Sequence, residues 1–138
     1  NEWNLGSNTP NSWVVGSATN NGGSKALYVT NNGSANSYSD ASSGTAQTIA
    51  SFQVDLSNIS NAQLAFDWRA IGEANYDFGD VWINTGGSDI LISYMNPIYN
   101  DPQMFGEFWN GSTYANKTIS LTSYVGGIVT ISAKWGRE

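Results

Sequence analysis

The sequence predicts an all-β fold, a two-sheet antiparallel β-sandwich of the jelly-roll kind, and three observations predict it. Short β-rich stretches alternate apolar and polar residues with period two. Clusters of Gly, Asn and Ser separate these stretches and supply the turn chemistry that antiparallel strands need. Gly or Asn also interrupts every apolar run before helical spacing can persist over about 11 residues.

The elements follow in order. Ser12 to Gly16 is a short strand holding Trp13. Lys25 to Thr30 is rich in β-formers and runs into the turn signal Asn31, Asn32, Gly33 and Ser34. Thr48 to Leu56 sets Ala50, Phe52, Val54 and Leu56 on one face. In the strand Leu64 to Ala70, Leu64, Phe66 and Trp68 fall on one side, Asp67 and Arg69 on the other. Gly72 to Asp80 carries Glu73, Asp77 and Asp80 together with glycines, so it reads as a surface connection. Asp80 to Asn84 is the next strand, with Val81 and Ile83 opposing Trp82. Thr85 to Asp89 reads as a hairpin turn. Beyond it, Ile90 to Met95 alternates Ile90, Ile92 and Tyr94 against Leu91, Ser93 and Met95. Asn96 to Ala115 is a long irregular stretch of the kind that is often functional. Lys117 to Leu121 and Gly127 to Trp135 complete the set, the last with Val129, Ile131, Ala133 and Trp135 inward. About eight short strands of this kind are best accommodated by two packed sheets. Trp13, Trp68 and Trp135 are expected in the core, since each shares a face with other apolar residues.

Composition narrows the function classes. With 138 residues the chain is read as a single domain spanning 1–138, large enough to bury a core without covalent staples. It contains no Cys and no His, which removes disulfides, thiolate metal sites, imidazole ligands and the Ser-His nucleophile pair. A net charge of −6 with five basic residues disfavours nucleic acid and anionic membrane surfaces. No apolar run approaches the roughly 20 residues of a membrane span. Polarity comes from Asn, Ser, Thr and Gly rather than from charge, a composition common in secreted bacterial modules, so a secreted or cell-surface location is expected. The chain starts at Asn1 without Met, which reads as a module of a larger, processed protein.

The order of segments carries a resemblance. Trp13 to Thr19, then Gly22 to Tyr38, resembles the opening half of a bacterial MAM-like jelly-roll family. That family includes the "choice-of-anchor J" and cleaved-adhesin domains of secreted Bacteroidetes-type proteins. Phe66 to Glu73 followed by Tyr76, Asp77 and Phe78 looks like its central strand-loop-strand, and Thr118 to Trp135 is similar to its penultimate strands. Such domains open with a strand carrying Phe-Glu and close with one carrying Ile-Asp after a Trp such as Trp135. In related adhesin domains, carboxylates from those two strands help hold calcium. Neither strand occurs between Asn1 and Glu138, so that metal site is not carried over. The resemblance implies terminal strands that are missing or supplied by another segment. A sandwich lacking them would expose unpaired edges open to a donated strand.

Three constellations are candidates for chemistry. Glu73, Asp77 and Asp80 could offer oxygen ligands to Ca²⁺; the alternative is a solvated loop with Arg69 neutralising one acid. The spacing fits no EF-hand loop. As a glycosidase pair these acids are poorly placed, because such enzymes need two carboxyls facing each other about 5–10 Å apart. Asp67 is the one acid expected inside a strand, with Asp55 and Asp80 at strand ends, so no catalytic activity is expected. The aromatic group Tyr99, Phe105, Phe108, Trp109 and Tyr114 could stack on the C–H faces of sugar rings; Phe105 and Phe108 are read instead as pinning the loop, leaving Tyr99, Trp109 and Tyr114 as ligand candidates. Trp82 joins them, being either solvent-facing or covered by a loop. The N-glycosylation patterns starting at Asn32, Asn58, Asn110 and Asn116 arise by chance in a chain this rich in Asn and Ser.

The expectation is therefore a non-catalytic extracellular adhesion or binding module, with a glycan or cell-surface protein as partner. The alternative is a structural or assembly subunit that pairs strands with neighbouring chains or domains through open sheet edges.

Overall fold

The computed structural model describes residues 2–8, 11–37, 46–69, 77–94 and 114–137. Ten strands run in chain order: β1 (Asn4–Leu5), β2 (Ser7–Asn8), β3 (Asn11–Gly16), β4 (Ala26–Thr30), β5 (Ala46–Asp55), β6 (Gln63–Trp68), β7 (Asp77–Asn84), β8 (Ile90–Tyr94), β9 (Ala115–Ser120) and β10 (Ile128–Arg137). One 3-10 turn, Thr122–Tyr124, is the only helical element among the described residues. The strands form a five-stranded sheet in the order β1-β5-β10-β7-β8 and two smaller sheets, β2-β3-β4 and β6-β9. Every pairing is antiparallel.

β10 is the spine of the large sheet. It pairs with β5 from Ile128↔Asp55 to Arg137↔Ala46, and with β7 from Thr130↔Asn84 to Arg137↔Asp77. The register sets Ile131 between Phe52 and Ile83, and Ala133 between Ala50 and Val81, so one face is continuously apolar. Trp13 from β3, Trp68 from β6, and Leu56 and Leu121 join the same buried cluster. All three sheets thus contribute to one core, and the three expected core tryptophans are all buried. The period-two pattern made this inevitable, because a register slip of one residue would turn Ile83 and Ile131 to solvent. Trp13 is fixed further by its indole N–H, which donates to the Thr48 carbonyl at 2.9 Å.

Edges and turns follow local chemistry. β1 reaches the large sheet through Gly6, whose N–H donates to the Ile49 carbonyl at 2.7 Å; a Cβ at Gly6 would overlap that oxygen. Trp3 then meets Phe52 edge-on, with ring centroids 4.9 Å apart. After β4, the Asn32 side chain accepts from the N–H groups of Ser34 (3.0 Å) and Ala35 (2.9 Å), while Gly33 takes φ +87°. That is the turn expected from Asn31 to Ser34. The hairpin between β7 and β8 also lies where Thr85 to Asp89 predicted it.

Two readings need correction. The acidic connection is shorter than expected: β7 starts at Asp77, so Asp80 stands inside a strand rather than at its end. The β-propensity of Phe78, Val81, Trp82 and Ile83 and the long β10 partner outweigh the glycine at position 79, which is buried against Trp135 across the ladder. The alternation along β8 also fails. The pairing moves from Val81↔Ser93 to Trp82↔Leu91, skipping Ile92. This bulge adds one residue to the edge strand, so Ser93 turns inward and is buried while Ile90 stays 41% exposed.

Candidate functional site

Among the described residues, the apolar face of the large sheet is not fully covered. Above it lies a cleft of about 1000 Å³. The large sheet contributes alternate residues to its floor: Phe52, Val81, Ile131, Ala133 and Trp135. β4 and β6 contribute consecutive residues, Ala26–Val29 on one side and Leu64–Trp68 on the other. A sheet face presents every second side chain, whereas an edge presents them all. The cleft therefore runs between the edges of the two small sheets, and no ladder joins β4 to β6 among the described residues.

One end of the cleft is polar. Asp67 lies on the solvent side of β6, opposite Leu64, Phe66 and Trp68, and its register partner on β9 is Asn116. The Asn116 amide donates to Asp67 Oδ1 at 2.9 Å, and Asn21, from the β3–β4 connection, donates to Oδ2 at 2.8 Å. Next to this carboxylate, Arg69 Nη2 donates to Thr19 Oγ1 at 2.6 Å. Thr19 Oγ1 is 3.2 Å from the Tyr114 hydroxyl, and the Arg69 guanidinium lies 5.3 Å from the centre of the Tyr114 ring. Asn21, Asp67 and Asn116 are exposed, while Thr19, Arg69 and Tyr114 are half-buried. Planar amides, a carboxylate and a guanidinium beside an aromatic ring can exchange hydrogen bonds with a polyhydroxylated ligand and cover its C–H face.

A second group lies on the outer face of the large sheet. Asp80 and Trp82 point there from β7, and their register partners on β10 are Lys134 and Ser132. Lys134 Nζ lies 4.3 Å from the centre of the Trp82 ring and 2.8 Å from Asp89 Oδ2. Asn84 donates to the other Asp89 oxygen at 3.0 Å. The hydrogen bond from Lys134, seconded by that from Asn84, holds the Asp89 carboxyl below its usual range. Asp80 behaves oppositely. Burial pushes its carboxyl up to about 6, opposed by the Lys134 charge. The Trp82 indole N–H, two residues along the same face, also favours the ionised form without closing a hydrogen bond.

The sequence candidates divide accordingly. Tyr114 lies at the polar end of the cleft, and Trp82 is half-buried, with the Lys134 ammonium of the next strand over its ring. With its ring face already engaged, Trp82 is poorly disposed to stack on a ligand. Tyr99, Phe105, Phe108, Trp109 and Glu73 lie outside the described residues, as does the Asp77 side chain. Asp80 keeps company with Lys134, and among the described residues no three acidic side chains gather as a metal site. Thr19, Asn21 and Asn116 escaped the sequence reading. Their partners lie 46 to 95 positions away, so only the strand register could have found them.

No protein-family model, curated protein or solved structure matches the chain. Among the described residues, no helix is long and apolar enough to cross a membrane.

Proposed function

We propose that this chain is a non-catalytic extracellular adhesion module, a jelly-roll β-sandwich of the MAM-like kind, that binds a glycan at the polar end of its cleft. The observation carrying this reading is the Asp67 carboxylate. Both of its oxygens take amide donors from separate elements, Asn21 and Asn116, directly beside the Arg69–Tyr114 pair. Side chains held this way are preorganised, so a ligand need not bear the cost of ordering them. The neutral, amide-rich composition and the absence of His and Cys are in keeping with recognition rather than chemistry. The module works at the cell surface or in the secreted fraction, its partner a polysaccharide or the sugars of a surface protein. Ca²⁺ at Glu73, Asp77 and Asp80 would be a separate, structural contribution.

A glycan array followed by calorimetry, with and without Ca²⁺, tests the reading. Binding to at least one glycan is expected, weakened tenfold or more by Asp67→Ala and by Tyr114→Ala, with circular dichroism unchanged. No binding to any polysaccharide, or affinity untouched by both substitutions, would sink it.

A further inference from the structure

The outward face of the β6–β9 sheet continues the site at Asp67. Three register pairs share that face: Gln63 with Ser120, Ala65 with Thr118, and Asp67 with Asn116. All six residues are exposed, whereas Leu64, Phe66 and Ile119 between them are half-buried and packed against the core. Successive pairs on one face lie about 7 Å apart along the strands, so the row from Asp67 to Gln63 is about 13 Å long, roughly three linked sugar rings.

The chemistry of this row is unusual for an open sheet. Exposed edge strands usually carry outward charges, Lys above all, that discourage association. Here Lys117 of β9 lies on the inner side with its register partner Phe66. The outer side is left to two amides, two hydroxyls, one methyl group and one carboxylate. Each amide and hydroxyl can both donate and accept, so a row of them can follow the hydroxyls and ring oxygens of a sugar chain. Ala65 and Thr118 are shorter than Gln63, Asp67 and Asn116, so the row dips at its middle. One end is already fixed, because Asn116 and Asn21 donate to the two oxygens of Asp67 at 2.9 and 2.8 Å.

Resting on the glycan reading, we infer that this row is the extended part of the same site, and that the ligand is an internal stretch of a linear polysaccharide rather than a single terminal sugar. One ring lies at Asp67 and Asn116, the next over Ala65 and Thr118, and the third at Gln63 and Ser120. Affinity then depends on ligand length. Each added ring brings its own hydrogen bonds, while the first has already met most of the cost of immobilisation.

Calorimetry with cello-, xylo-, manno- and chito-oligosaccharides of one, three and six units tests this. In at least one series affinity rises at least tenfold from the monosaccharide to the trisaccharide, then changes less than threefold up to six units. Ala65→Arg, which fills the middle of the row from an exposed position, and Thr118→Ala each weaken the trisaccharide at least fivefold, with circular dichroism unchanged. Should Ala65→Arg misfold, Thr118→Ala and Gln63→Ala decide. Equal affinity at all lengths, or a trisaccharide indifferent to these substitutions, overturns the inference; where Asp67→Ala still weakens binding in that case, the glycan reading stands without it. No binding by any of the four series also overturns the inference, and the glycan array separately decides the underlying reading.

Discussion

Replacing Asp80 with Asn removes a carboxylate that folding places in the wrong surroundings. The carboxyl moves from 3.8 to about 6 mainly through burial on the outer face of β7. A shift of about two units corresponds to a ceiling of ~3 kcal/mol at 1.36 kcal/mol per unit. Asp80 is only half-buried, so solvent screening reduces this to about 1 kcal/mol. The sign follows from linkage. The raised group favours the protonated folded state, so its stabilising effect is complete below pH 3.8 and fades as pH rises through 6. Wild-type stability should therefore increase by about 0.5 kcal/mol between pH 7 and pH 5, roughly half of the full effect of about 1 kcal/mol. Asp80→Asn should be more stable than wild type at pH 7 by a similar amount, with no rise over that window. Urea midpoints at half-unit steps from pH 4 to 8 measure both. An Asp80→Asn variant less stable than wild type at pH 7, or one keeping the same slope, would refute the argument. Asp55 and Asp89 do not confuse the window: both carboxyls lie below 3.8, so what they contribute is lost only in more acidic solution.

Other outcomes follow from the same structure. Lys134→Met removes the charge opposing Asp80, so the Asp80 carboxyl should titrate above 6, as read by carboxyl-carbon NMR. Ile83 is fully buried at the centre of the core, and Ile83→Ala should cost about 2–5 kcal/mol in urea unfolding. Trp13→Phe leaves the Thr48 carbonyl without its indole donor and should cost about 1–3 kcal/mol. Gly6→Ala forces β1 away from the Ile49 carbonyl and should cost about 1–3 kcal/mol, with faster exchange at the Gly6 amide.

Much of this fold was legible because strands write their faces into the sequence. Val129, Ile131, Ala133 and Trp135 read inward from alternation alone, as did Trp68 and the pairing of Val81 with Ile83 against Trp82. The Asn32–Gly33 turn and the β7–β8 hairpin were equally plain, since their chemistry is local. The start of β7 was not, because glycine and three acids resemble a loop until β10 is known to lie alongside. The β8 bulge depends on its neighbour's register and leaves no mark on Ile90 to Tyr94. Of the site, Tyr114 and the polar placement of Asp67 were legible, but the contacts with Thr19, Asn21 and Asn116 close loops of dozens of residues. The cleft is lined by β4, β6 and the large sheet, segments far apart in sequence, so no single segment encodes it.

The spine of the large sheet is also the last of the described strands to leave the ribosome. β5 and β7 have no ladder to each other and must wait for residues 128–137 before either gains its principal partner. Nearly the whole sheet is thus assembled late, by contacts distant in sequence, which makes its folding slow. During synthesis β5 and β7 emerge as apolar ribbons with no central strand between them. Until residues 128–137 are made, the apolar faces of β5 and β7 lack the strand that joins them, and apolar surface exposed in this way favours aggregation of the incomplete sheet.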